Sequence, residues 1–402
     1  MALNKKINRL MTEDVFFLLE HIERSGYAAR LVGGAVRNCL MNVEFTDIDI
    51  AIAAPPAETM RIFENAGGVK VVSTGIDYGT VTVVRNGKSY EITSLRKDVQ
   101  TFGRKALVQF TDSFEEDSQR RDFTINAIYL DKNGNIFDYH HGIDDISRKN
   151  IRFIGCPEER IKEDFLRILR YFRFVVCYGD CVINEGYLEL INLLKSHIAI
   201  LSTERILAEL LKMFSDNNSY KIIPDMRQVL DVLFDLECDP LEAASRLNIF
   251  AEMTAVERLC LLLKFSNRRD LTNKYKFPKT INQMLSLNID NCAELSLRRK
   301  LKIIQKNLRR FLVYYSSVLA YRGGSKSVSE IKNTVQRLEN FCNSEYVDFV
   351  FRASDLGARC FSQSELKVLM MTVKNFWLDS DNDIGREECL RFALNYLENA
   401  SF

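Results

Sequence analysis

The chain has 402 residues, 47% of them hydrophobic and 27% charged, a composition that excludes a disordered chain and allows several packed units. Its 55 basic and 54 acidic side chains give a formal charge of +1, so any nucleic-acid contact must come from local basic patches. The 18 glycines and 6 prolines are too few for a collagen-like or linker-rich chain.

The first 140 residues mix predicted helices and strands. A helix at about residues 12–25 is followed by YAARLVGGAVRNCLM, an apolar strand that runs through a Gly-Gly turn into a new helix. TDIDIAIAA alternates as a strand from Asp47 to Ile52. VKVVSTG and YGTVTVVRNGKSYEITSLR predict further strands with an Asn-Gly hairpin turn, and INAIYLD and IFDYHHG predict a last strand pair.

From about residue 157 the hydrophobic spacing changes to the helical period. Pro157 is suited to a helix start, and EERIKEDFLRILRYFRFVVCYG predicts one helix with an apolar stripe from Ile161 to Phe172. Further helices are predicted around residues 185–200, 203–215, 226–234, 255–265, 295–320, 327–342, 364–377 and 385–398. The predicted fold class is α+β, with a small mixed-sheet head followed by an all-helical remainder.

The ten cysteines are scattered, and only Cys177 and Cys181 lie close in sequence. With no second pair and four histidines in all, they do not match the spacing of a zinc site. No apolar run is long enough for a signal-peptide core or a membrane span. We therefore expect a cytoplasmic protein with reduced thiols and no membrane or protein partner.

Two acidic residues near the N-terminus form the first candidate site. Asp47 and Asp49 are two apart in a strand, so their side chains share one face, while Ile48 and Ile50 point the other way. Close carboxylates repel each other, and a divalent cation such as Mg²⁺ relieves that repulsion. Glu91, in the strand YEITSLR, is placed to add a third carboxylate. A solvated acidic strand face is the alternative that the pair alone leaves open.

A glycine turn lies upstream of the acidic pair. Gly33 and Gly34 precede a helix, where backbone N–H groups can approach phosphate oxygens, and Arg37 adds a phosphate contact one turn later. A lone Gly-Gly is usually only a turn. Combined with Asp-x-Asp at this spacing, it indicates a nucleoside triphosphate bound with two metal ions, which means nucleotidyl transfer.

Five segments together resemble the polymerase-β-like nucleotidyltransferases of the tRNA CCA-adding and bacterial poly(A) polymerase group, class II, and most of all bacterial CCA-adding enzymes. LVGGAVRN followed by TDIDIA is similar to the first signature, and RRDFTINA at residues 120–127 to the second. HGIDD at 141–145 resembles the third, EDFLRILR at 163–170 the fourth and STER at 202–205 the fifth.

The resemblance implies four segments: a catalytic head at 1–140, a neck at 141–215 that selects the nucleotide, a body at 216–290, and a tail at 291–402 that binds tRNA. It also implies stepwise addition of C, C and A from CTP and ATP, with two Mg²⁺ ions held by Asp47 and Asp49 and supported by Glu91. Asn38 stands where the family usually has Asp, a change beside the site that leaves catalysis possible.

Base choice is assigned to the fourth motif. Asp164 and Arg167 are three apart on the predicted helix and so share a face, which Arg170 and Arg173 extend. Cytosine and adenine both present an amine beside an acceptor nitrogen, so one Asp–Arg pair can read both. Uracil and guanine would leave buried groups unsatisfied, at about 1–3 kcal/mol each. An ordinary surface ion pair is the alternative.

The second motif and the segment before it supply further candidates. Asp122 is suited to accept from the ribose 2′-hydroxyl, and Arg121 to contact phosphate or base; a solvated charge cluster is the alternative. Arg104 and Lys105 follow Gly103 in a segment that resembles the family's flexible loop, which is associated with the change from C to A addition.

Basic residues in the helical half are candidate tRNA phosphate contacts. They are Arg268, Arg269, Lys274, Lys276, Lys279, Arg298, Arg299, Lys300, Lys302, Lys306, Arg309 and Arg310. The aromatic residues among them, Tyr275, Phe277, Tyr314 and Tyr315, are predicted to be core.

Three rival functions stay open: a poly(A) polymerase, an enzyme that adds only CC or only A, and an inactive RNA-binding protein with the same fold. The closing segment LRFALNYLENASF is not basic, which favours CCA addition over poly(A) synthesis.

Overall fold

The computed structural model describes residues 7–64, 66–75, 79–102, 105–268, 271–287, 301, 306–322, 327–342, 349, 351–356, 363–380 and 384–399. The chain forms two compact units, Met1–Leu233 and Phe234–Phe402. The four predicted segments divide the chain more finely, and their boundaries stay a prediction.

A mixed sheet forms the centre of the first unit. Within the described residues the strands are β1 (Ala29–Val32), β2 (Ile48–Ile52), β3 (Val69–Gly75), β4 (Thr80–Arg85), β5 (Lys88–Ser94), β6 (Arg96–Phe102), β7 (Lys105–Phe110), β8 (Ile128–Leu130) and β9 (Ile136–Asp138). The main sheet has the order β3-β4-β5-β2-β1-β8-β9, and β6 and β7 form a separate two-stranded sheet. Strands β2 and β5 are parallel, which places Asp49 opposite Glu91.

Helices surround this sheet and continue beyond it. They are α1 (Glu13–Arg24), α2 (Gly34–Met41), α3 (Pro56–Glu64), α4 (Phe114–Gln119), α5 (Gly142–Ser147), α6 (Pro157–Glu163), α7 (Leu166–Tyr178), α8 (Glu185–Leu194), α9 (Thr203–Phe214) and α10 (Ile223–Phe234). The Thr12 side chain caps α1 by accepting a hydrogen bond from the Val15 amide, and Val15, Leu18 and Ile22 bury its apolar face in the core.

Both predicted hairpins are present. Asn86 and Gly87 join β4 to β5 with φ values of 50° and 75°, the left-handed conformation that a tight two-residue turn requires. Strands β8 and β9 pair as the second hairpin, and Gly134 in their turn has φ of 83°. The predicted mixed-sheet head is confirmed.

The single helix predicted from Pro157 onward is wrong. Asp164 has extended backbone, with φ of −153° and ψ of 104°, and separates α6 from α7. Its carboxylate accepts a hydrogen bond from the Leu166 amide at 3.2 Å, so this side chain is held at the junction before α7 and does not lie on the face of that helix. Asp164 and Arg167 therefore do not lie three apart on one helix.

Within the described residues, the regular secondary structure of the second unit is helical apart from one isolated β-bridge, which confirms the all-helical remainder. Its helices are α11 (Pro240–Arg246), α12 (Ala255–Lys264), α13 (Leu271–Lys274), α14 (Lys279–Leu285), α15 (Lys306–Arg322), α16 (Val328–Cys342), α17 (Gln363–Asp379) and α18 (Arg386–Asn399). Among the helices of the described chain, none has the length and apolar character that crossing a membrane requires.

The basic residues of the second unit are only partly available for phosphate. Lys274, Lys276 and Lys279 are exposed, but Arg309 is buried and donates to the Leu301 carbonyl. Arg310 pairs with Glu257 at 2.9 Å. Arg269 and the residues at 298–300 and 302 lie outside the described residues, and the Lys306 side chain is not described. Arg309 is therefore removed from the predicted phosphate contacts.

The aromatic residues among these basic positions lie in the core. Tyr275, Phe277 and Tyr314 are buried, as predicted for core residues.

Candidate functional site

A cavity of about 670 Å³ opens in the first unit. It is lined by Gly33, Gly34, Ala35, Arg37, Asn38, Glu44, Phe45, Thr46, Asp47, Asp49, Arg120, Arg121, Asp122, Asn126, Asp164, Arg167, Arg170, Arg173, Phe174 and Lys212. Seven of these are basic and five acidic, a mixture suited to a polyanionic ligand that brings cations with it. The cavity thus contains most of the predicted site residues.

The glycine turn lies directly beside Asp49. Gly33 has φ of 78°, and a Cβ atom on it would lie 3.1 Å from Asp49 Oδ2 and 4.0 Å from Arg121 Nη1. A side chain here would be strained and would crowd both groups. Gly33 also precedes α2, whose first N–H groups carry partial positive charge favourable to an anion.

The acidic pair lies at the start of β2. Asp47 is exposed, one residue before the strand, and Asp49 is partly buried within it. Burial, followed by the neighbouring charge of Glu91, raises the pKa of Asp49 to about 6, and Asp47 adds to the rise while Arg121 opposes it. The structure therefore brings the predicted carboxylates close enough to repel one another.

Arg37 is buried in the cavity wall beside the glycine turn, with 7% of its surface exposed. Its Nη1 donates to Asn126 Oδ1, and its Nη2 donates to Asn38 Oδ1 and to the Tyr178 hydroxyl, both at 2.8 Å. Asn38, the departure from the family pattern, also donates to the Glu44 carbonyl. A neutral amide therefore holds Arg37 from one side and fixes the loop before Asp47.

Arg121 is held by a carboxylate that the sequence analysis did not single out. Asp117 Oδ2 accepts from Arg121 Nη2 at 3.0 Å, and Asp117 Oδ1 accepts from Arg120 at 2.8 Å. Burial would raise the pKa of Asp117, but Arg121, Arg120 and a hydrogen bond from Tyr129 lower it to about 2. Arg121 reaches the cavity as the outer part of a buried charge network.

Asp122 also lines the cavity, yet its oxygens already have partners. It accepts from Arg170 at 2.5 and 2.7 Å, from the Asn126 side chain at 2.9 Å and from the Phe123 amide. Burial alone would raise the pKa of Asp122, but Arg170 and Asn126 hold it well below its usual range. Its ribose contact stays a prediction; in this structure it ties α7 to the head.

The two arginines predicted to extend the base-reading row are paired as well. Arg173 donates to Glu209 on α9 at 2.5 Å, and Arg170 lies 3.5 Å from the same carboxylate. Glu209 was not singled out from the sequence, although Arg205, Glu209 and Lys212 follow helical spacing along α9. That spacing was the available signal for Lys212, a cavity-lining cation outside the five motifs.

The predicted base-reading pair, Asp164 and Arg167, lies at the junction of α6 and α7. Asp164 Oδ2 accepts from Arg205 at 2.6 Å, which orients the carboxylate from the fifth motif. Arg167 donates to Glu163 and to the carbonyls of Arg160 and Arg120, using three of its five N–H groups. Both residues line the cavity with hydrogen-bonding capacity left over, although they come from different local structures.

Three predicted residues are not among those that line the cavity. Glu91 interacts electrostatically with Asp49 but is not among the lining residues. Arg104 lies outside the described residues; Lys105 begins β7, and its side chain is not described. The flexible-loop assignment stays a prediction.

Comparison with known proteins identifies the family of this chain. Residues 29–152 match the poly A polymerase head domain. The human mitochondrial CCA tRNA nucleotidyltransferase 1 is 34% identical over 312 residues, which cover 76% of this chain and 66% of that protein. The chain belongs to the tRNA nucleotidyltransferase and poly(A) polymerase family. A CCA-adding enzyme of Oceanobacillus iheyensis is 40% identical over 238 residues, 59% of this chain and 57% of that relative.

Solved structures of the family share the fold. The Bacillus stearothermophilus CCA-adding enzyme in complex with CTP has a TM-score of 0.68 at 23% identity, covering 95% of this chain and 96% of its own. The Thermotoga maritima CCA-adding enzyme complexed with tRNA has a TM-score of 0.66 at 19% identity, covering 98% and 96%. By sequence, the chain spans at most about two thirds of the curated relatives described above.

Nucleotidyltransferases of this family use divalent metal ions. The carboxylates of Asp47 and Asp49 are suitable ligands for such an ion. Among the described residues, no three carboxylate, imidazole or thiol groups converge into a complete metal site. Small divalent cations are commonly held by one or two carboxylates together with substrate phosphates. Asp47 and Asp49 supply that minimal set. Burial first, and then the nearby charges of Glu91 and Asp47, raise the pKa of Asp49, and a bound cation would relieve that repulsion.

Proposed function

We propose that this chain adds C, C and A to the 3′ end of tRNA, using CTP and then ATP without a nucleic-acid template. One observation carries the proposal: a single cavity is lined by the glycine turn, the Asp47–Asp49 pair and the Asp164–Arg167 pair. The first two features suit a triphosphate and the third suits a base edge. The relatives named for CCA addition support this choice of substrates.

We assign two Mg²⁺ ions to Asp47 and Asp49, with Glu91 in support. When bound, such ions lower the pKa of the attacking 3′-hydroxyl and stabilise charge on the leaving pyrophosphate. The residues of the chain supply the rest. The α2 N-terminus and Arg37 bind the triphosphate, and Arg121 neutralises charge beside Asp49.

Base selection follows from donor and acceptor capacity. The Asp164 carboxylate can accept from the exocyclic amine of cytosine or adenine, while Arg167 can donate to the neighbouring ring nitrogen. Uracil and guanine present the reverse pattern and would leave buried groups unsatisfied, at about 1–3 kcal/mol each. The protein, rather than a nucleic acid, then serves as the template. A cytoplasmic location is part of the proposal, although named relatives include mitochondrial proteins.

Single-nucleotide incorporation tests the proposal against its rivals. The protein is incubated with tRNA lacking CCA and with CTP, ATP, both, UTP or GTP. We expect two additions with CTP alone, three with CTP and ATP, and almost none with UTP or GTP. Unlimited growth with ATP alone would instead establish a poly(A) polymerase, and a stop after CC in the presence of ATP would establish a partial enzyme.

The Asp49→Ala variant separates the enzyme from an inactive RNA-binding protein. We expect incorporation to fall below detection because the acidic pair is lost, while tRNA affinity in a filter-binding assay changes less than twofold. Asp112→Ala is the matched control, since Asp112 is exposed and outside the cavity lining. Incorporation retained by Asp49→Ala would contradict the assignment.

A further inference from the structure

Arg37 differs from the neighbouring arginines in the kind of partner it has. Arg121 is paired with Asp117, Arg170 with Asp122 and Arg173 with Glu209. Among the described residues, Arg37 forms no ion pair.

The hydrogen bonds of Arg37 all go to neutral oxygens: the amides of Asn38 and Asn126 and the hydroxyl of Tyr178. The charge of Asp122 acts on Arg37 without a direct hydrogen bond. With no bonded carboxylate to cancel most of its charge, the Arg37 guanidinium remains available to an anionic ligand.

Tyr178 makes this arrangement possible from the last turn of α7. Its hydroxyl accepts from Arg37 Nη2 at 2.8 Å, and its ring centroid lies 4.3 Å from Arg37 Cζ. The ring of Phe174, one turn earlier, lies 5.1 Å from the same Cζ atom. Tyr178 is not among the cavity-lining residues. Its ring packs 5.4 Å from that of Phe174, which lines the cavity, but its hydroxyl contacts the cavity through Arg37.

We propose that Tyr178 is a positioning residue that holds the Arg37 guanidinium toward the phosphates of the bound nucleotide. The hydroxyl orients the guanidinium without neutralising it, and it links α7, which carries the base-reading Arg167, to the glycine turn and α2. This inference rests on the proposed function for the identity of the ligand. Because it concerns phosphates, its effect must be the same for every base.

Equilibrium binding tests the inference directly. The wild type and Tyr178→Phe are titrated calorimetrically with CTP, ATP and inorganic tripolyphosphate, each with magnesium. The variant keeps the ring and removes only the hydroxyl, so we expect all three affinities to fall by the same factor, about three- to tenfold. Tyr171→Phe is the matched control: it also removes a hydroxyl from α7, but that hydroxyl accepts from the Asn184 amide. We expect less than a twofold change for the control.

A double-mutant cycle with Arg37→Lys shows whether Tyr178 acts through Arg37. In the Arg37→Lys background, Tyr178→Phe should change tripolyphosphate affinity less than twofold. An equal loss in both backgrounds, a loss confined to one nucleotide, unchanged affinity in Tyr178→Phe, or no tripolyphosphate binding by the wild type would each overturn the inference. The incorporation assay is independent: a wild type that binds tripolyphosphate as expected but adds no nucleotide would refute the proposed function alone.

Discussion

Asp117 does not line the cavity but orients Arg121, which does. Asp117 is almost fully buried and accepts hydrogen bonds from Arg120, Arg121, Tyr129 and the Arg96 amide. It belongs to none of the five motifs, and its partners hold its pKa at about 2. A buried carboxylate that accepts this many hydrogen bonds both stabilises the head and orients Arg121.

Replacing Asp117 by Asn tests that support. The pKa of Asp117 is about 2 in the folded protein and about 3.9 in an unfolded chain. The charged form therefore stabilises the fold above pH 4, and this stabilisation is lost as the pH falls toward 2. We expect Asp117→Asn to lower the free energy of unfolding by about 2 kcal/mol at pH 7. Urea unfolding should show the gap between wild type and variant narrowing below pH 4; a gap that is the same at pH 7 and pH 3 would contradict this account.

Gly142, in the third motif, is explained by packing. A Cβ atom here would lie 2.4 Å from the Thr124 carbonyl oxygen and 3.1 Å from Ile128 Cγ1. Because the closest atom is backbone, Gly142→Ala should lower the free energy of unfolding by about 1–3 kcal/mol. Gly67→Ala is the matched control, since nothing lies within 4 Å of the added Cβ, and we expect it to change stability by less than about 0.5 kcal/mol. Equal thermal midpoints for the two variants would refute the packing explanation.

The sequence allowed prediction of residues whose role depends on local spacing. Gly33, Asp47 and Asp49 lie within 17 positions of each other, and all three line the cavity. The pairing of Asp122 with Arg170 joins residues 48 apart. Such a pairing depends on how two elements pack, so it cannot be predicted from the local spacing of residues.

At the scale of elements, the break between α6 and α7 is the main departure from prediction. An apolar stripe continues across it, so periodicity alone indicated one helix. The extended backbone of Asp164 interrupts the helix, and Arg205 from α9 donates a hydrogen bond to its side chain. The junction therefore depends on two elements that are distant in sequence.

Arg205→Gln tests whether this junction sets base choice. Without the Arg205 hydrogen bond, the Asp164 carboxylate should lose its fixed orientation, and the preference for CTP over UTP should fall about tenfold. Arg61→Gln is the control, because Arg61 forms an exposed pair with Glu58 that contributes little to stability. Single-nucleotide kinetics measure both variants, and an unchanged CTP-to-UTP ratio in Arg205→Gln would contradict the assigned role.

Several long helices were predicted correctly from the sequence, whereas several short helices were not. The long amphipathic helices α9, α16 and α17 were predicted with ends within two residues. The short helices α11, α13 and α14 were missed, since four to seven residues are too few to establish a helical period. The pairing of β6 with β7 was also missed, because these strands flank the segment interpreted as a basic loop.

For the whole molecule, composition and period predicted an α+β head followed by helices, and both units agree with it. Charge runs were a weaker guide. Arg309 and Arg310 occur in a basic run, yet one is buried and the other is paired with Glu257. A run of basic residues does not predict which of them are exposed and unpaired, because burial and pairing depend on packing against distant residues.

We propose that one cavity holds the nucleotide between the Asp47–Asp49 pair and the start of α7. A crystal structure of the protein with CTP and magnesium would locate this nucleotide. We expect the triphosphate against Gly33, Gly34 and the Asp47–Asp49 pair, with the cytosine edge on Asp164 and Arg167. A nucleotide bound away from both groups, in a protein that still adds C to tRNA, would show that this cavity is not the catalytic site.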